Sequence, residues 1–367
     1  MEANTAFRES LALSEQLEDY FSNKFTTGKT AIQTPSDEKF WEKYVDESTG
    51  DIPFRVLREF YPQLNFPVEE GIEKSQTYRD AVLKGSFILS DKALQLNRES
   101  DITLKLHQNI AYEIPVLTVP DETDFEMLIQ CLIYKNNPVK VPKSMGASLI
   151  SGINNWKKIN NLKQNWSENQ NRSSLSWNEE FSKNIVPNNH LYKDRIILLS
   201  MKPYSNVNAE KLHMSSEKWK KISLKIRLEH ECVHLYTLQK FGSASNNLHD
   251  ELIADYIGIV AATGTYHKDW MLTFMGLEEY QKYRAGARLE NYLAGMELSE
   301  YEFAQVTKII KNAIENIAAF SNHLKKMESD HDKRSRIETL CQTDLLQISS
   351  PIGTQLLLDK YYGTSAR

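Results

Sequence analysis

Apolar positions recur at helical spacing over residues 7–24 and 38–47, and Pro53, Pro62 and Pro67 then break the chain into short pieces, so residues 1–85 read as mostly helical. The pattern then changes. Ile102–Leu106 and Tyr112–Val119 are strand-like runs, 123–134 opens with acidic residues as a helix does, and Val139–Val141 has the make-up of one more short strand. Residues 154–174 turn polar and rich in asparagine, which predicts a loop or a frayed helix and a loose domain boundary between 160 and 161. Arg195–Met201, stopped by Pro203, is the clearest strand, and Ser215-Ser216-Glu217 is a cap for the helix that follows. From 247 to about 327 nearly everything carries helical spacing.

The expected architecture is therefore α+β and mostly α, with a small mixed sheet packed on the helix at 216–240 and an α-helical C-terminal lobe. Residues 1–160 form an N-terminal α+β region in this reading. Residues 161–367 hold an edge strand at 195–201, the helix 216–240, a second helix at 247–263 and the C-terminal helices.

Winding the helix 216–240 at about 100° per residue sets Trp219, Ile226, Thr237 and Phe241 near His230 and His234, with Leu224, Leu228, Cys232 and Leu235 opposite. A helix apolar on two opposed faces belongs between two layers. The two imidazoles, at i and i+4 with Cβ atoms about 5–6 Å apart, are close enough to share one tetrahedral ion. Glu231 projects beside that ion, where a base for an attacking water must stand.

The second helix, 247–263, is Leu, Ile, Val, Tyr or Ala almost throughout beyond 251, except for a stripe of Glu251, Asp255, Gly258 and Ala262. Two carboxylates on such a helix need a compensating cation, which a metal held by His230 and His234 would supply. Gly258 and Ala262 let the two helices approach closely. Glu251 is the expected third ligand, with Asp255 or Asp250 as the alternatives.

His230-Glu231-x-x-His234 with Glu251-x-x-x-Asp255 resembles the gluzincin group of zinc metallopeptidases over about residues 190–265. The resemblance implies a zincin-like catalytic region with one Zn²⁺ held by His230, His234 and Glu251. It also implies that Glu231 activates water and that Asp255 orients His230. Sixteen residues lie between His234 and Glu251, fewer than is usual in that group, so the connecting loop must be tight. Thr237 and Lys240 stand where a metzincin needs Gly and His, which excludes that class.

A tetrahedral oxyanion also needs a donor. Tyr280, Arg284, Arg288 and Tyr292 are spaced by four, and Arg288 and Tyr292 are taken as the catalytic pair, with Tyr266 and His267 as further candidates. His249 is assigned to the surface or to helix capping.

Composition narrows the partners. With 41% apolar and 25% charged residues in 367, the chain buries real cores without needing a metal as a staple, so a metal here serves chemistry. A net charge of −5 and no basic block argue against nucleic acid and anionic membranes. No apolar stretch approaches the roughly 18 residues needed to span a bilayer. The first twenty residues carry Glu2, Glu9, Glu15, Glu18 and Asp19 and lack the apolar core of a secretory signal, so no export is expected. Cys131, Cys232 and Cys341 fall in no C-x-x-C spacing, which fits a reducing cytoplasm.

The expected function is that of a cytoplasmic zinc metallopeptidase acting on a peptide or protein substrate. The alternatives are a zinc amidase for a non-peptide amide, and a non-catalytic regulatory or interaction protein that retains the fold.

Overall fold

The computed structural model describes residues 7–8, 10–25, 38–47, 52–86, 92–168, 175–244 and 247–365. Its principal elements, in chain order, begin with α1 (Glu15–Phe21), α2 (Glu38–Glu47), α3 (Pro53–Phe60), α4 (Gln76–Lys84), β1 (Thr103–His107) and β2 (Ile114–Val119). There follow α5 (Glu122–Leu132), β3 (Ala147–Asn154), α6 (Trp156–Glu168), β4 (Lys193–Ser200), α7 (Ser216–Phe241) and α8 (Leu248–Thr263). The chain ends with α9 (Lys268–Met275), α10 (Leu289–Tyr292), α11 (Glu300–His323), α12 (Asp330–Gln342), α13 (Leu345–Ser349) and α14 (Gly353–Ser365). The fold is α+β and mostly α, and its one sheet among the described residues is small and mixed. No described helix is long and apolar enough to cross a membrane.

The chain divides into two compact units, residues 33–202 and residues 1–32 with 203–367. In the first, the strand order is β1-β2-β4-β3, with β2 and β4 parallel and both outer pairs antiparallel. Register sets Leu104 against Leu117, Leu117 against Leu198 and Leu149 against Ile197. Helix α5 packs on β2 and β4, and α2 on β1. The core they enclose includes Phe54, Phe60, Leu117, Phe125, Leu128 and Leu198. Asp194, on β4, is buried and accepts from Tyr61 Oη at 2.6 Å and Asn155 Nδ2 at 2.7 Å, with Lys158 Nζ 2.9 Å away.

Three expectations are corrected here. Arg195–Met201 is not an edge strand. β4 is hydrogen-bonded on both sides, which is why it reads as an unbroken apolar run and why it offers no free edge to an extended peptide. For the same reason the 160/161 boundary does not hold. The strand stays with its sheet, so the division falls after 202. Residues 139–141 form no strand. The edge position is taken by β3, whose Ser and Gly residues mask the alternation and whose ladder is broken between Ser151 and Ile153. The polar stretch after 154 is helical as far as Glu168, in α6, whose buried residues are Trp156, Lys158 and Ile159, and its remainder, 169–174, lies outside the described residues.

In the other unit, α7 starts at Ser215, whose side chain accepts from the Lys218 amide, and ends at Gly242 in the left-handed region. Asn247 caps α8 by accepting from the Asp250 amide. Residues 248–260 of α8 are all buried, and this helix packs against α7, α11 and α12. A Cβ on Gly258 would lie 2.8 Å from the Ile226 carbonyl oxygen, so glycine sets the spacing of α7 and α8. Residues 277–299 depart from the expected continuous helix. Gly276 ends α9 at φ 76°, the chain folds back so that the Arg284 amide reaches the Gly276 carbonyl, and only α10 is helical there.

Candidate metal centre

α7 and α8 bring His230, His234 and Glu251 together, all within the second unit. His230 Nε2 and His234 Nε2 are 2.9 Å apart, with Oε2 of Glu251 3.4 Å from the first and Oε1 3.4 Å from the second. The edge of a tetrahedron with bonds of about 2.0–2.1 Å is about 3.3 Å, so the two imidazoles and the carboxylate are near enough to one another to hold one ion. All three residues lie in the interior, and among the described residues they are the one His, Cys, Asp or Glu group able to hold a metal ion.

Their outer neighbours fix which nitrogen faces inward. Asp255 Oδ1 is 2.8 Å from His230 Nδ1, and Asp250 Oδ2 is 3.3 Å from His234 Nδ1. Each carboxylate favours a proton on the Nδ1 it faces, which leaves both Nε2 lone pairs turned toward the Glu251 carboxylate. Three lone-pair atoms gathered in a buried space repel one another unless a cation sits among them. Burial pushes His230 down, but Glu251 and the hydrogen bond to Asp255 outweigh it and raise its pKa to about 9. His234 is raised well above its ordinary value in the same way, chiefly by Asp250 against burial. Burial would raise Glu251, yet the two imidazoles hold it well below the usual carboxylate range.

A second layer holds the carboxylates. Arg288, buried, donates through one terminal nitrogen to Asp255 Oδ2 and through the other to Tyr204 Oη at 3.1 Å. Tyr204 donates in turn to Asp255 Oδ1 at 2.5 Å. Tyr292 donates to Glu251 Oε2 at 2.7 Å. Burial and neighbouring carboxylates push both phenols well above their usual value, so they stay protonated and act as donors.

The site departs from the sequence reading in part. His230, His234, Glu251 and Asp255 stand in the predicted relation, with Asp255 behind His230 and Glu251 facing both Nε2 atoms. Asp250 is no ligand either, because it faces the outer nitrogen of His234. Glu231 lies on α7 between the two histidines and is buried. Arg288 and Tyr292 reach the centre, where they bond the carboxylates. The single phenolic proton of Tyr292 is engaged by Glu251, and the terminal nitrogens of Arg288 serve Asp255 and Tyr204. The fourfold stripe that suggested them does not exist, since 280–288 is not helical. Arg284 bonds Glu278 and the Thr273 carbonyl, Tyr280 is exposed, and His267 stacks on Trp270. His249 is not at the surface. It is buried, with Nε2 2.9 Å from the Leu340 carbonyl oxygen.

Sequence reasoning missed Tyr204 and the place of Asp250. Tyr204 sits in a short turn after Pro203 with no periodic signal. Asp250 had one, a third acid on a helix whose next ten residues are buried, but an acid in a first helical turn is ordinarily explained by the helix dipole.

A family model described as a family of unknown function (DUF7005) matches residues 3–352. No curated protein and no solved structure matches.

Proposed function

The chain belongs to the DUF7005 family, and we propose that it is a zinc-dependent metallohydrolase that cleaves peptide bonds. The observation that carries this reading is the convergence of two imidazole Nε2 atoms and the Glu251 carboxylate, with Glu231 on the same helix between the two histidines. The motif's resemblance to gluzincins supports zinc over other divalent ions and a peptide over other amides.

Zinc, when bound, supplies a Lewis acid that acidifies water and polarises a substrate carbonyl. The chain's own residues do the rest. His230, His234 and Glu251 would hold the ion. Glu231 takes the proton of the attacking water and returns it to the departing amine. Asp255 keeps the outer nitrogen of His230 as a donor, while Arg288, Tyr204 and Tyr292 keep the carboxylates from turning. We place the protein in a reducing cytoplasm, which the three free and buried cysteines favour.

The test is metal analysis of the purified protein together with a peptide-library digest and the variant Glu231→Gln. One zinc per chain, chelator-sensitive hydrolysis, and a variant that keeps zinc while losing at least about 10²-fold in turnover are expected. A chain that binds no zinc sinks the proposal. A chain that binds zinc and cleaves nothing is a binding protein instead.

A further inference from the structure

The acid immediately before the proposed third ligand has no satisfactory structural explanation. Asp250 is completely buried, and neither of its carboxylate oxygens has a hydrogen bond. Its backbone amide is already served by the Asn247 side chain, so the helix start does not depend on the Asp250 carboxylate for capping. It faces His234, whose Nδ1 is 3.3 Å from Oδ2, also buried and also without a well-directed hydrogen bond. A buried acid and a buried ring nitrogen that face each other slightly out of line have one inexpensive remedy. A small rotation of the imidazole aims its N–H at the carboxylate and turns Nε2 further toward His230 and Glu251.

We infer that Asp250 is a positioning residue for His234, so that each of the two metal-binding imidazoles has its own buried carboxylate, Asp255 behind His230 and Asp250 behind His234. The inference rests on the metal-centre reading above and adds to it what orients the second imidazole ring.

The rival is a plain structural acid that favours the positive end of α8. Zn²⁺ affinity, measured by competition with a chromophoric chelator, separates the two for the full-length chain and for Asp250→Asn and Asp250→Ala. The visible spectrum of the Co²⁺-substituted protein and the denaturation midpoint of the metal-free protein are measured alongside. The alanine variant should bind Zn²⁺ about 10- to 100-fold more weakly, the range found when a partner of a metal-bound histidine is removed. The asparagine variant, which still accepts from Nδ1, should recover part of that loss, and its Co²⁺ bands should shift because the ring it backs is a ligand. Zn²⁺ affinities within twofold of the parent with unshifted Co²⁺ bands, even with a lowered midpoint, overturn the inference and leave the metal centre intact. A parent chain that binds neither ion overturns both.

Discussion

Tyr292 donates its hydroxyl to Oε2 of Glu251 across 2.7 Å, joining a four-residue helix to the first turn of α8 from 41 positions further along the chain. The contact leaves the other carboxylate oxygen, Oε1, beside His234 Nε2. Without it the Glu251 carboxylate loses one of its restraints. Tyr292→Phe is expected to fold normally and to bind Zn²⁺ about tenfold more weakly, at the lower end of the range for a group that holds a metal ligand. Chelator competition measures this, and an unchanged affinity would show that the hydroxyl does not restrain the carboxylate.

Gly258 sets the distance between the helices that share the centre. An exposed mid-helix Gly→Ala change normally stabilises by about 0.5–1 kcal/mol. At Gly258 the new methyl would sit 2.8 Å from the Ile226 carbonyl oxygen and 3.1 Å from its Cγ2 atom. Gly258→Ala is therefore expected to lower stability by about 1–3 kcal/mol, as overpacking does, and to weaken metal binding by moving Glu251 away from the histidines. Urea denaturation with and without zinc reads both effects, and a stabilised variant would contradict the close packing.

The pH dependence of the metal-free chain follows from the same residues. His230 rises from 6.5 to about 9 in the folded chain, so the stability it contributes is fully present below 6.5 and is lost as the pH climbs through 9. Glu251 is held below its ordinary 4.5, so its contribution is present above 4.5 and is lost as the pH falls through its lowered value. The chelated protein should be most stable between these limits and weaken on the alkaline side. The zinc-saturated protein, whose imidazoles have no proton left to lose, should not weaken there. Denaturation midpoints across that window decide the matter, and parallel curves for the two forms would count against His230 as a ligand.

Tyr20 ties the N-terminal segment to the centre. Its hydroxyl donates to the Tyr292 carbonyl at 3.1 Å and accepts from the Leu248 amide at 3.3 Å, three residues before Glu251. Tyr20→Phe leaves an amide of the first turn of α8 without this acceptor. The expected cost is about 0.5–1.5 kcal/mol, read from the denaturation of the chelated protein, with no more than a few-fold change in zinc affinity. An unchanged stability would mean that water replaces the hydroxyl.

How much was legible depended on the range of the interaction. The i, i+4 histidines, the stripe of Glu251 and Asp255 and the small residue at 258 follow from the 3.6-residue turn, which acts within a few residues and is written in the local order of the chain. The caps at Ser215 and Gly242 are legible for the same reason. Arg195–Met201 was recognisable as a strand from its apolar run, yet whether it lay at an edge or inside depended on β2 and β3, which pair with it from 81 and 44 or more residues away, and no local pattern carries that. Residues 280–292 show the converse. Their spacing by four suggested a helix, and the reversal at Gly276 overrode it while still delivering Arg288 and Tyr292 to the carboxylates.

The sequence by itself determined that His230 and His234 share one helix face, because positions four apart stand about one helical turn from each other, and it left the third ligand among Glu251, Asp255 and Asp250. Only the tertiary structure decided what stands behind them. Asp250 behind one ring, Asp255, Tyr204 and Arg288 behind the other, and Tyr292 on the carboxylate meet through the packing of α7, α8 and the turn before α10. Burial converts those meetings into constraint, since a charge or donor withdrawn from water must keep the partner that the packing provides.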